Sequence, residues 1–121
     1  GSKKIEIDLN NFLKNLKDLK FGELILNSIN NDGAGMGLDL NLINLIPESF
    51  TKPIIISGGT GNYKHIIDGL KNSRISAVSS SNLLNFIGNG LEITRDKLIE
   101  NNLDFPNWNK ELILKKKNIF I

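Results

Sequence analysis

Apolar residues first recur at three- and four-residue steps, through Leu9, Phe12, Leu13, Leu16 and Leu19, and leave Lys14, Lys17, Asp18 and Lys20 outward. That stripe predicts an amphipathic helix, and Asp8 stands where its carboxylate caps the first turn. Gly22 occupies a C-terminal turn position, and the near-continuous apolar run from Glu23 to Ile29 predicts a strand buried on both faces. A polar, glycine-rich loop from Asn30 to Gly37 follows. Leu38, Leu42, Leu45 and Ile46 then predict a second helix, with Asp39 as its N-cap and Pro47 at its end. Pro53 to Ser57 reads as the next strand, and Tyr63, Ile66, Ile67 and Leu70 give the helix after it an inward stripe. The same spacing puts His65 on that helix's solvent-facing side. Ile75 to Ser79 predicts another strand, residues 82–86 one helical turn, and Thr94 the N-cap of a last helix stapled by Ile93 and Leu98 and continued by Ile99 and Leu103. Lys4 to Ile7 is a candidate fourth strand. Met36 and Trp108, as single large apolar side chains, are expected to pack.

Strand, glycine-rich turn and helix thus recur three times, which places the chain in the α/β class, as parallel βα repeats with right-handed crossovers. No domain boundary interrupts residues 3–105, and residues 106–121 read as a C-terminal extension, packed, extended or in contact with another subunit.

Composition narrows the field. With 121 residues, 40% of them hydrophobic and 23% charged, the chain is long enough for one real core and is not disordered by composition. A net charge of +2, much of it at Lys115, Lys116 and Lys117, gives no field that calls for nucleic acid. Cysteine is absent and there is one histidine, which argues against disulfides, thiol chemistry and a metal site, and fits a reducing cytoplasm. No apolar run is long enough to span a membrane, and no signal-peptide pattern opens the chain. Gly1 and Ser2 read as a cloning remnant.

The chemistry is expected where the three strands end, since α/β proteins place ligands at the carboxyl edge of the sheet. All three strands run into small or acidic residues there. Glycine turns let backbone amides converge on one anion, and phosphate is the natural guest.

The residues at these turns resemble a known family. Glu23-Leu-Ile-Leu-Asn-Ser-Ile-Asn-Asn-Asp-Gly33 with Gly37-Leu-Asp39, then Pro53-Ile-Ile-Ile-Ser-Gly-Gly-Thr-Gly61, then Ala77-Val-Ser-Ser-Ser81 are similar to the C-terminal half of HisF, the cyclase subunit of imidazole glycerol phosphate synthase. The likeness runs to about Phe105. Residues 82–88 and the Thr94 helix resemble most the HisF-like group associated with surface-polysaccharide sugar amidation.

This resemblance implies about half of a TIM (β/α)8 barrel, from after strand five through helix eight. It also implies an enzyme that takes ammonia from a glutaminase subunit and adds it to a phosphorylated small-molecule substrate, with no cofactor. Carried over by motif, Asp32 and Gly33, Gly58 and Gly59, and Ser80 and Ser81 are the phosphate-binding positions. Asp32 accepts hydrogen bonds from the ligand, and Gly33, Gly59, Ser80 and Ser81 offer amides.

The departures are specific. The family reads Ser-Ile-Asp-Arg-Asp-Gly after strand six, whereas Asn30 and Asn31 here replace the first acid and the arginine. Its general acid and base are aspartates on strands one and five, which precede this chain, so no catalytic residue is assigned and the chain alone is expected to bind without turnover. Three strands, even with a fourth, cannot close an eight-stranded barrel, so either the missing N-terminal half or self-association must cover the open edges and inner face. Two other readings stay open: half of a HisA-like phosphoribosyl isomerase, which shares the Asp-Gly and Ser-Gly-Gly turns, and a non-catalytic half-barrel that binds phosphate.

Overall fold

The computed structural model describes residues 3–16, 19–81, 83 and 90–106. Its elements are α1 (Leu9–Asn15), β1 (Leu24–Asn27), α2 (Asn41–Asn44), β2 (Ile54–Ser57), α3 (Tyr63–Leu70), β3 (Ala77–Ser79) and α4 (Gly90–Glu100). The strands form one parallel sheet in the order β1-β2-β3. Leu26 pairs with Ile56 and Ile56 with Val78, while Ile25, Ile55 and Ala77 share the next level on the opposite face.

That alternation decides where the core lies. Leu26, Ile54 and Ile56 cluster with Leu13 of α1, Ile43 of α2 and Ile46 just beyond it. Gly69 of α3 lets its helix lie so close to Val78 and Leu38 that a Cβ there would come within 2.8 Å of both side chains. The helices therefore cover one face of the sheet, the winding of a βα barrel rather than of a doubly wound sheet. Each fully buried isoleucine, such as Ile56, contributes roughly 1.5–3 kcal/mol.

The other face carries the main correction. β1 was expected to be buried on both sides, yet Ile25 is 62% exposed, and Ile29 beyond it is 68% exposed. In a closed barrel this face points inward, and three strands leave it open. Lys4 to Ile7 is not a strand; it pairs with nothing among the described residues, and Ile5 is 77% exposed.

Local signals explain most boundaries. Asp8 caps α1 as expected, its carboxylate accepting from the Asn11 amide at 3.1 Å. The helix stops at Asn15, so Leu13 is buried while Phe12 and Leu19 stay exposed. Asp39 is not an N-cap: α2 starts one residue later from Leu40, without a side-chain cap, and Asp39 serves through its carbonyl, which accepts from Leu42 N. Thr94 is not a cap either. Gly90, Thr94 and Leu98 lie one turn apart and are the buried residues of α4, so burial sets the helix register and leaves Ile93 48% exposed. Met36, expected to pack, is 84% exposed. The turn expected over 82–86 falls outside the described residues except for Leu83, which is buried, and the extension falls outside them beyond Pro106.

Candidate functional site

The three strands end side by side, with Asn27, Ser57 and Ser79 in register, and each hands the chain to a polar turn. The turns do not diverge. Asp32, Gly33, Gly58, Gly59, Ser80 and Ser81 all line one cleft of about 250 Å3, open mouth included, together with Gly35, Ser57, Thr60 and Ser79.

The β1–α2 and β2–α3 turns are built into each other. Gly59 has φ +97°, and a Cβ on it would overlap the Gly37 carbonyl oxygen. Glycine is therefore required there twice over, by conformation and by space. Gly37 N donates to Gly59 O at 2.8 Å, and the Asn31 side-chain amide donates to Gly37 O at 3.0 Å. Asn31, standing where the resembling family carries arginine, thus braces the β1–α2 turn from within, at the carbonyl of the residue whose amide reaches across to Gly59.

Several amides are already committed. Asp32 N donates to Ser28 O at 2.9 Å, and the first amides of α3, on Lys64 and His65, are taken by the Asn62 side-chain oxygen. Those of Gly59, Thr60, Ser80 and Ser81 donate to no acceptor among the described residues. Beside them the hydroxyls of Thr60 and Ser80 are buried with no hydrogen-bond partner. A buried hydroxyl left unpaired costs roughly 1–3 kcal/mol, and such groups in a cleft mark a place where a polar ligand completes the bonding. Asp32, exposed at the rim, is the only ionisable side chain of the lining among the described residues. What the described lining offers an anion is amides and hydroxyls.

Two residues escaped the sequence reading. Thr60 was passed over as a member of the glycine turn, although a hydroxyl between Gly59 and Gly61 is an available donor. His65 is not solvent-facing: it is half-buried, and its Nδ1 accepts from Gly61 N at 3.1 Å. The signal was the Asn62-Tyr-Lys-His65 spacing, a capping pattern in which the third helical residue reaches back.

Comparison with known proteins agrees with this architecture. The family described as histidine biosynthesis protein matches residues 1–85. A protein of Parasynechococcus marenigrum (strain WH8102), provisionally named imidazole glycerol phosphate synthase subunit hisF2, is 36% identical over 97 residues, covering 80% of this chain and 36% of that protein. The chain therefore spans about a third of the length of that curated relative. All three turns that wall the cleft fall inside residues 1–85, and on that match the chain belongs to the histidine biosynthesis protein family, as a HisF-like member with the parallel βα repeats of half a TIM barrel.

Proposed function

We propose that this chain is the phosphate-binding half of a HisF-like, ammonia-using cyclase or synthase of the imidazole glycerol phosphate synthase type. The observation that carries this reading is the single cleft in which Asp32, Gly33, Gly58, Gly59, Ser80 and Ser81 meet and the Thr60 and Ser80 hydroxyls stand unpaired. A phosphoryl group brings several acceptor oxygens into that space. Gly59, Thr60, Ser80 and Ser81 donate to it through amides, Thr60 and Ser80 also through hydroxyls, and Asp32 accepts from a hydroxyl on the rest of the substrate. The work of the chain is to bind and orient.

Acid–base chemistry falls to another part of the assembled enzyme, because Asp32 is the only carboxylate of the cleft among the described residues and paired proton transfer needs a second. That part is the N-terminal half of the barrel, which closes over the exposed Ile25 face, and a glutaminase subunit supplies the ammonia. Within this reading, residues 82–88 favour the group that amidates surface-polysaccharide sugars.

Calorimetric titration with inorganic phosphate tests the site. Saturable binding is expected, and Thr60→Val should weaken it by roughly tenfold while leaving the unliganded protein as stable or slightly more so, because an unpaired buried hydroxyl is removed. Absence of saturable phosphate binding refutes the assignment. With phosphorylated substrate and ammonia the chain alone should give no product, and adding the N-terminal half should restore turnover.

A further inference from the structure

One imidazole ties the first turn of α3 to the end of the β2–α3 turn and faces the β1–α2 turn. The Gly61 N–H points at Nδ1 of His65, which places the ring proton on Nε2. Asn62 uses its Oδ1 to accept from the Lys64 and His65 amides, at 2.9 and 3.4 Å, so its amide nitrogen lies 3.2 Å from Nε2. A neutral ring accepts at one nitrogen only, and the aligned Gly61 N–H makes that bond. The ring also faces the neighbouring turn, where a Cβ added at Gly37 would stand 3.7 Å from its Cδ2. His65 itself does not line the cleft.

We propose that His65 is a positioning residue for the anion cleft. By accepting from Gly61 N–H, it holds the Gly58–Thr60 turn so that the Gly59 and Thr60 amides and the Thr60 hydroxyl converge on bound phosphate. This deepens, and rests on, the phosphate reading above. Three of the four residues Gly58 to Gly61 are glycine, with φ of +91° at Gly58 and +97° at Gly59. Such a segment has little conformational preference of its own and owes its shape to what anchors it. The Gly37 N–H anchors its middle and His65 its far end. Freeing the far end adds an ordering cost to every binding event. The requirement is for an acceptor at the Nδ1 position: asparagine places its oxygen there, one bond beyond Cγ, whereas glutamine places it a bond further out.

The test compares the 121-residue chain with His65→Asn, His65→Gln and His65→Leu by phosphate titration, with hydrogen exchange read at the Gly61 amide. His65→Asn is expected to stay within about twofold of the parent and to keep Gly61 protected, whereas the glutamine and leucine variants bind roughly tenfold more weakly and lose that protection. A folded leucine variant that binds phosphate as tightly as the parent overturns the proposal. So does an asparagine variant that fails as badly as glutamine, because packing alone would then explain the ring. If the leucine variant does not fold, the asparagine–glutamine pair decides. A parent chain that binds no phosphate overturns the site assignment itself, a result told apart by the unsubstituted protein.

Discussion

At the scale of single residues, the atoms that restrict Gly59 and Gly61 belong to a different turn: a Cβ on either would overlap a carbonyl oxygen, of Gly37 and Gly35 respectively. Gly22, by contrast, has nothing within 4 Å of its Cβ position. Gly59→Ala should therefore lower the free energy of unfolding by about 2–4 kcal/mol and abolish phosphate binding, whereas Gly22→Ala should change stability by no more than about 0.5 kcal/mol, as measured by urea midpoints. That the six candidate positions meet at one cleft was legible because small and acidic residues after three strands, matched to one family's motifs, can be placed without knowing side-chain geometry. Thr60 and His65 were not, since their parts depend on which hydroxyl is left unpaired and which amide a ring can reach.

Among the elements, α2 has four residues and is too short to hold itself. Its end is fastened from outside by Arg74, which donates to the carbonyls of Ile43 at 3.1 Å, Ile46 at 2.9 Å and Pro47 at 3.0 Å. A guanidinium suits this place, because it offers a planar fork of donors and a positive charge where the helix carbonyls point outward. Arg74→Met should cost about 1–3 kcal/mol in chemical denaturation, and Arg74→Lys should recover only part of that. The strand–helix rhythm was visible in the apolar spacing, and three strands and three helices start or stop within two residues of it. What misled was chemistry read too locally. Thr94 has the side chain of a cap but sits in the buried line between Gly90 and Leu98, and Ile5 and Ile7 look like a strand but have no neighbour to pair with among the described residues.

For the molecule as a whole, the sheet is finished on its helix side and open on the other, where Ile25, Ile55 and Ala77 form an apolar level below the polar level of Asn27, Ser57 and Ser79. A face left uncovered by the described residues, between two strand edges that none of them pairs, drives association. Sedimentation of the isolated chain should give a mass above 13.5 kDa that falls on dilution. Ile25→Glu should shift it toward the monomer without altering the far-ultraviolet dichroism, because that side chain takes no part in the helix-side core.

The meshing of Gly35 with Gly61 and of Gly37 with Gly59 has a consequence for descent. The two segments work like a clasp whose halves were cut together, so lengthening either one, or giving it bulk, spoils the fit of its mate. Substitution is borne more easily at outward positions that the clasp does not use, such as Asn30 and Met36, than within the clasp, whose two halves must change together.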